Sequence, residues 1–374
     1  MNEDRSARYN RLQRQASVAS LSWSVGLLVA LVATGAASRL RDVAEAWASA
    51  LGGSASWFVA VSTLSYVLLL SIAHEIGGAP IAFYSGFVLE RRYGLSNQRL
   101  GSWLWDQIKA FAIGLVLAWG GVSLIYWTIR FSPERWWLPA GLVFAIVIVG
   151  LANLAPIVLL PVFYRVTPLE RESLRTRLLA LADRAGARVL GAYEWGLGAK
   201  TKKANAALAG LGSTRRILVS DTMLAEYTDE EIEVVLAHEI AHHVHGDIWK
   251  GIALESALVL AGFYAAARLL DALAPPLGLR GVDDIAGLPV LLLAAGAVSL
   301  VMVPLAHAMS RAYERSADRF ALALTGNPAA FISAMRRLGA QNLAEENPSR
   351  IVQWLFYSHP PIRERIAAAQ AFKA

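Results

Sequence analysis

Residues 136–164 and 285–310 of this chain contain no Asp, Glu, Lys or Arg. Each is long enough to cross a hydrocarbon core of about 30 Å, which takes a helix of about 20 residues. The chain as a whole is 56% hydrophobic and only 17% charged, whereas ordinary soluble domains are about a quarter charged. A soluble fold rarely tolerates such runs, so the sequence predicts an integral membrane protein.

Six apolar windows are long enough, or nearly so, to span a bilayer, and they centre on 17–37, 56–76, 108–129, 138–161, 251–270 and 286–307. The fifth is the weakest because Glu255 interrupts it. The first follows an Arg-rich lead but is too long for a signal peptide, so we interpret it as a retained anchor helix. We expect a mainly α-helical, polytopic membrane bundle of about six spans. Its segments are a four-span block (1–161), a polar insertion (162–250), two further spans (251–307) and a polar tail (308–374).

The distribution of Lys and Arg predicts the orientation, because these residues accumulate on the cytoplasmic side. With the amino terminus inside, the outer loops hold only Arg39, Arg41, Arg130, Arg135, Arg268 and Arg280. Both termini and the insertion are therefore expected in the cytoplasm. The excess of Arg over Lys and the abundance of Ala favour a bacterial source, and hence an inner membrane. The net charge of +6 arises from residues that flank spans, so no nucleic-acid partner is expected.

The polar insertion has the pattern of a small α+β unit. Residues 167–186 have the spacing of an amphipathic helix, with Pro168 in its first turn, and residues 187–195 and 215–224 have the composition of short strands. Thr228 precedes Glu231 by three residues, which is a capping-box signature. It predicts a helix that extends through at least His245.

That helix carries the sequence HEIAH. His238 and His242 are four residues apart and therefore lie on one helical face about 6 Å apart, where both can bind one metal ion. Glu239 lies one step round the helix, beside the ion, where it can take a proton from a metal-bound water. The chain has no cysteine, so His and carboxylate side chains must supply all protein ligands. An earlier HEIGG sequence fails this test, because Gly78 stands where the second ligand would be.

A catalytic zinc site needs a third protein ligand. The zincin class that uses a His ten residues after the first is excluded, because position 248 is Ile. Glu314 and Asp318 share a helical face further along the chain. Glu314 could complete the ligand set, and Asp318 could hydrogen-bond a ligand imidazole from outside it. The alternative for the HEIAH sequence is a His-rich surface turn at the end of a helix. The alternative for Glu314 and Asp318 is an amphipathic helix whose charges are solvated.

HEIAH followed by SRAYERSAD resembles the type I CAAX prenyl protease family of integral-membrane zinc metalloproteases, which shares the pattern HExxH and SRxxExxAD. The segments 86–109, 155–170, 203–224 and 357–366 also resemble family segments, in the family's order, so the resemblance covers roughly residues 80–370. It implies a zincin-like α+β domain, one Zn²⁺ on His238, His242 and Glu314, and Glu239 as the general base. Family members typically have seven spans around a large chamber, so a span before residue 80 is missing and a smaller chamber is expected.

The resemblance also implies roles that spacing alone does not. His359 and Arg365 match positions that stabilise the oxyanion of the tetrahedral intermediate, although a stiff polar turn would explain them equally. Asn205 and Ala206 match the edge segment that binds the peptide substrate as an added strand, or they form an ordinary hairpin edge. Asp247 could support a ligand.

The expected activity is a zinc metalloendopeptidase that acts on a peptide or membrane-protein substrate, prenylated in the CAAX case. The alternatives are an HtpX-like quality-control peptidase and a non-catalytic zinc-binding membrane scaffold.

Overall fold

The computed structural model describes residues 4–210 and 214–373, and most of them are helical. Five long apolar helices form the membrane block, and their bounds are α1 Arg5–Ala33, α3 Ala55–Phe83, α5 Leu100–Phe131, α11 Asp247–Leu273 and α12 Leu288–Thr325. At about 1.5 Å per residue, each exceeds the thickness of a hydrocarbon core. Ile76, Val116 and Val301 are more than half exposed on these helices, as lipid-facing side chains are. The prediction of a polytopic helical membrane protein is confirmed.

The span count depends on two further helices. The predicted window 138–161 corresponds to α6 Trp137–Val158, a helix of 22 residues. As a sixth span beside the five long apolar helices, it stays a prediction. The sequence did not predict α2 Ala36–Leu51, whose 16 residues are too few to span a bilayer. Its small buried side chains, Ala37, Ala44 and Ala48, allow a close approach to α3.

An ion pair joins α2 to the segment between α11 and α12. Arg41 and Asp284 pair through Nη1 and Oδ2, and both side chains are buried. Asp284 also accepts hydrogen bonds from the backbone N–H groups of Arg280 and Ala286. This cluster lies at the end of the membrane block opposite the polar insertion, because α11 and α12 meet there.

The insertion contains a four-stranded sheet in the order β1-β2-β4-β3. The strands are β1 Val166–Pro168, β2 Ala192–Trp195, β3 Ala206–Ala209 and β4 Arg216–Ser220. β2 and β4 pair in parallel, and the outer pairs are antiparallel. The strands predicted at 187–195 and 215–224 correspond to β2 and β4. The helix predicted at 167–186 is α8 Glu172–Arg184, and it begins later because Pro168 belongs to the edge strand β1, where a missing N–H is tolerated.

Helices cover one face of this sheet. α10 Asp229–Val244 begins with the predicted capping box, in which Thr228 Oγ1 accepts from Glu231 N–H and Glu231 Oε2 accepts from Thr228 N–H. Ile232, Leu236 and Ile240 are fully buried in a core shared with α8 and the sheet. The remaining short helices are α4 Glu90–Arg92, after a π-helical turn Tyr84–Leu89, α7 Leu160–Phe163, α9 Asp221–Glu226, α13 Pro328–Gln341, α14 Arg350–Phe356 and α15 Ile362–Gln370.

Candidate metal centre

α10 presents His238 and His242 to α12. The two imidazole rings lie on one face of α10 with their centroids 5.0 Å apart and their planes nearly perpendicular. α10 packs directly on α12, which carries Glu314 into the space between the rings. His238 and Glu314 are buried, and His242 is half-buried. The tertiary packing of two helices therefore assembles three residues that are distant in the sequence.

Glu314 faces both imidazoles with its two carboxylate oxygens. Its Oε2 lies 3.2 Å from Nε2 of His238, and its Oε1 lies 3.4 Å from Nε2 of His242. One donor atom from each of the three residues lies within 4.8 Å of the others. Glu314 Oε2 is buried and has no hydrogen-bond partner within residues 4–210 and 214–373. Converging donors with an unsatisfied buried oxygen are what a metal ion would bind.

Each imidazole is held from behind by a carboxylate. His238 Nδ1 lies 2.9 Å from Oδ1 of Asp318, and His242 Nδ1 lies 3.1 Å from Oδ2 of Asp247. A carboxylate accepts, so each Nδ1 carries the proton and each Nε2 lone pair faces the centre. Both carboxylates are buried, and the supporting role of Asp318 stays a prediction.

The centre attracts positive charge. Burial alone would lower the pKa of His238, but the neighbouring carboxylates of Asp318 and Glu314 raise it to about 9. Carboxylates that stabilise a proton on a buried imidazole also stabilise a divalent cation in its place. If these three side chains held a metal ion that prefers four ligands, one coordination position would be left for water, as in a catalytic site.

Glu239 lies beside the ligands, one residue after His238. Burial raises the pKa of its carboxyl group, while the neighbouring imidazoles partly oppose that shift. A carboxylate with a raised pKa is a better proton acceptor near neutral pH. This environment is compatible with the predicted general base.

His359 and Arg365 reach the same centre from the end of the chain, but they differ in exposure. His359 Nε2 lies 3.3 Å from Oε1 of Glu314, and its side chain is 62% exposed, so it faces the open side of the centre. Arg365 is buried and binds Asp318 with two nitrogens, Nη2 at 2.6 Å and Nε at 2.9 Å. The guanidinium therefore holds Asp318 in place, and Asp318 in turn orients His238.

Asn205 and Ala206 lie at the start of β3, which is an edge strand of the sheet. They differ in the direction of their backbone groups. Asn205 C=O accepts from Ser220 N–H at 2.9 Å and so belongs to the pairing with β4. Ala206, one residue further, turns its backbone to the free edge, because these directions alternate along an antiparallel strand.

Sequence reasoning missed two contacts, one to β3 and one to Ala204, which lies just before β3. His243 Nε2 lies 2.8 Å from the backbone oxygen of Leu208, and Asn342 makes two hydrogen bonds with the backbone of Ala204. No local pattern could have identified either contact, because the partners are far apart in the sequence.

A cavity of about 530 Å³ lies among the membrane helices. Apolar side chains of α1, α3, α5 and α12 line most of it, and His74 and Glu75 stand at its wall. His74 Nε2 lies 2.9 Å from Ser24 Oγ. This second His-Glu pair is thus part of a cavity wall.

The membrane helices, the small sheet and the HExxH helix paired with a downstream glutamate define a membrane-embedded metallopeptidase. The family model for peptidase family M48 matches residues 168–373. A second model, described as the CAAX prenyl protease N-terminal region with five membrane helices, matches residues 2–165. The chain belongs to peptidase family M48. It is an integral membrane metalloprotease that acts on peptide substrates.

Several relatives extend over most of the chain. An uncharacterized metalloprotease of Bacillus subtilis, YhfN, is 31% identical over 314 residues, which is 83% of this chain and 74% of the relative. A CAAX prenyl protease 1 homolog of rice is 27% identical, with 82% and 73% covered. The crystal structure of Ste24p from S. mikatae superposes with a TM-score of 0.85 at 22% identity, over 97% of this chain and 87% of that one. That structural likeness is one of fold.

Proposed function

We propose that the protein is a zinc endopeptidase whose ion is held by His238, His242 and Glu314. The observation that carries the proposal is the convergence of two Nε2 atoms and one carboxylate. Two imidazoles and one carboxylate are a common ligand set of catalytic zinc, and a chain without cysteine has no thiolate to offer a structural site. Bound zinc polarises the scissile carbonyl and lowers the pKa of a water molecule.

Glu239 moves the proton in this mechanism. Its carboxylate accepts a proton from the attacking water and returns it to the nitrogen of the leaving amine. His359 donates from Nε2 to the oxyanion that forms on the carbonyl oxygen, a contribution of about 2.7–4 kcal/mol for a single donor in other acyl-transfer sites. Arg365 adds positive charge to the same region and keeps Asp318 against His238. Asp318 and Asp247 keep both ligand imidazoles in the tautomer that presents Nε2.

The substrate is a peptide bound as an added strand on β3, next to Asn205 and at Ala206. An unpaired strand edge offers backbone groups to any extended peptide, so this mode of binding tolerates many sequences. The edge position of β3 and its packing on α10, the helix that carries the metal ligands, support this assignment.

The active site faces the cytoplasm from a bacterial inner membrane. The distribution of Lys and Arg between the loops supports this orientation. Nucleic acid is not a partner, since basic side chains of the insertion are paired with acids, as Arg177 is with Glu230 and Glu233.

The substrate class is that of the CAAX prenyl proteases. Relatives that carry this name cover most of the chain, and the amino-terminal family match includes the membrane helices. Quality control of membrane proteins is the second candidate. Purified enzyme should cleave a farnesylated CAAX peptide at least weakly. Cleavage of an unfolded membrane protein with no turnover of the farnesylated peptide, even at high enzyme concentration, would favour quality control instead.

The Glu239→Gln variant tests the mechanism. A carboxamide cannot accept a proton, so peptide cleavage should fall by about 10²–10⁴-fold, while elemental analysis still finds about one zinc per chain. Glu230→Gln is the matched control, because Glu230 lies on the exposed first turn of the same helix and forms an exposed ion pair with Arg177. Full turnover by Glu239→Gln would contradict the assigned base. Purified protein with no zinc would contradict the metal.

A further inference from the structure

The free edge of β3 is a short row of backbone groups, and the register of the sheet defines which residues contribute to it. β3 pairs with β4 through Ala206 opposite Val219 and Leu208 opposite Ile217. The bond from Ser220 N–H to Asn205 C=O fixes the alternation. Odd-numbered residues therefore direct their N–H and C=O toward β4, and Ala204, Ala206 and Leu208 direct theirs outward.

Asn342 occupies the outward groups of Ala204. Its Oδ1 accepts from Ala204 N–H at 3.0 Å, and its Nδ2 donates to Ala204 C=O at 3.2 Å. A residue of a paired strand makes the same two bonds, so the side-chain amide replaces one strand residue there. Leu343, which follows, has a φ of 50°, a left-handed conformation that is unfavourable for a non-glycine residue. The bond from Asn10 Nδ2 to Leu343 C=O, at 2.7 Å, helps to hold this conformation.

His243 occupies the outward carbonyl of Leu208 at the other end. Its Nε2 lies 2.8 Å from the carbonyl oxygen. The oxygen can only accept, so Nε2 carries the proton and donates it. His243 follows the ligand His242 on α10, so this end of the edge is tied directly to the helix of the metal centre.

We propose that β3 offers substrate a single backbone acceptor, the carbonyl of Ala206, because Asn342 and His243 occupy the two carbonyls that flank it. Within residues 4–210 and 214–373, nothing pairs with the outward N–H and C=O of Ala206. This inference rests on the proposed binding of a peptide to β3 and deepens it. A peptide strand added to a fully open edge would donate an N–H to that edge at every second residue. On β3 it donates a single N–H, to the carbonyl of Ala206. Asn342 and His243 are positioning residues that leave the edge able to accept one substrate N–H.

A scan of N-methylated substrates tests this directly, because each N-methyl group removes one peptide N–H donor. The probe is a peptide that the wild-type enzyme cleaves, methylated at one position at a time outside the scissile bond. For the wild type, kcat/KM should fall at one position. In Asn342→Ala and in His243→Phe a second sensitive position should appear, two residues away on opposite sides of the first. KM for the unmethylated peptide should fall by about 2- to 10-fold, which is the value of one added hydrogen bond.

Two further variants complete the test, one as a substitute for Asn342→Ala and one as a control. Asn342→Asp retains the shape and still accepts from Ala204 N–H, but it cannot donate to the carbonyl, so it should behave as Asn342→Ala if the latter folds poorly. Thr222→Val is the matched control, since Thr222 Oγ1 donates at 2.8 Å to the carbonyl of Lys203, on the opposite side of the strand. It should leave the single sensitive position unchanged.

Each result is decisive. Several alternate sensitive positions in the wild type, or a pattern that neither Asn342→Asp nor His243→Phe alters in folded, metal-loaded protein, would overturn the proposal. A cleaved peptide with no sensitive position would refute strand addition at β3 while leaving the zinc peptidase assignment intact. Failure of the wild type to cleave any peptide would instead refute the proposed function.

Discussion

Replacing Asp318 by Asn should weaken metal binding without touching a ligand. Asp318 receives three hydrogen bonds, from His238 Nδ1 at 2.9 Å and from two nitrogens of Arg365 at 2.6 Å and 2.9 Å. Asn keeps the oxygen that faces the imidazole but places an amino group against Arg365 Nε, which is also a donor. The negative charge that makes His238 a stronger ligand is lost as well.

The expected loss of metal affinity is about 10- to 100-fold, typical of a residue that orients a ligand imidazole, or about 1.4–2.7 kcal/mol. A second cost arises because Arg365 is buried and loses its only ion pair among the described residues. Removal of one partner of a buried pair costs about 3–5 kcal/mol. Since the carboxamide keeps part of the hydrogen bonding, the free energy of unfolding should fall by an amount near the lower of these two values.

Competition with a chelator of known affinity measures the zinc dissociation constant, and thermal unfolding in detergent measures stability. Asp271→Asn is the control, because Asp271 pairs with Arg268 on an exposed turn of α11. Such a pair is worth less than about 1 kcal/mol, so both readouts should stay at wild-type values. A zinc affinity within twofold of wild type in Asp318→Asn would refute the role of this carboxylate.

Two other predictions concern the whole fold. Arg41→Ala should lower the free energy of unfolding by about 3 kcal/mol, because it leaves the buried Asp284 without its charged partner. Unfolding in mixed detergent micelles measures this loss. Arg280→Ala is the control, because Arg280 is exposed and its loss should cost less than about 1 kcal/mol. Equal losses in the two variants would contradict the importance of burial. Removal of the metal with a chelator should abolish cleavage and lower the melting temperature, since a ligand present at a thousandfold its dissociation constant stabilises a protein by about 4 kcal/mol. Restored zinc should recover both, and an unchanged melting temperature would contradict a metal site in the folded core.

The parts of the fold that were predicted correctly are those with a local signal. Four of the five long apolar helices follow from uninterrupted hydrophobic runs, and α11 follows from a run that Glu255 interrupts. The start of α10 follows from Thr228 and Glu231. α2 was missed because it has no span-length apolar run, although its Ala-rich composition favours a helix. The other error occurred where a tertiary contact overrides local preference. Pro168 lies in an edge strand because β2 provides a partner.

The sequence by itself determined that the chain enters a membrane and that His238, Glu239 and His242 share one turn of a helix, because both features depend on residues close together in the chain. Only the tertiary structure brought Glu314 between the two imidazoles and placed Asp318 and Asp247 behind them. It alone decided which backbone groups of β3 remain open, since Asn342 and His243 reach that edge from separate helices. Hydrophobicity and helical periodicity are properties of neighbouring residues, whereas the pairing of a buried polar group depends on which distant element packs against it.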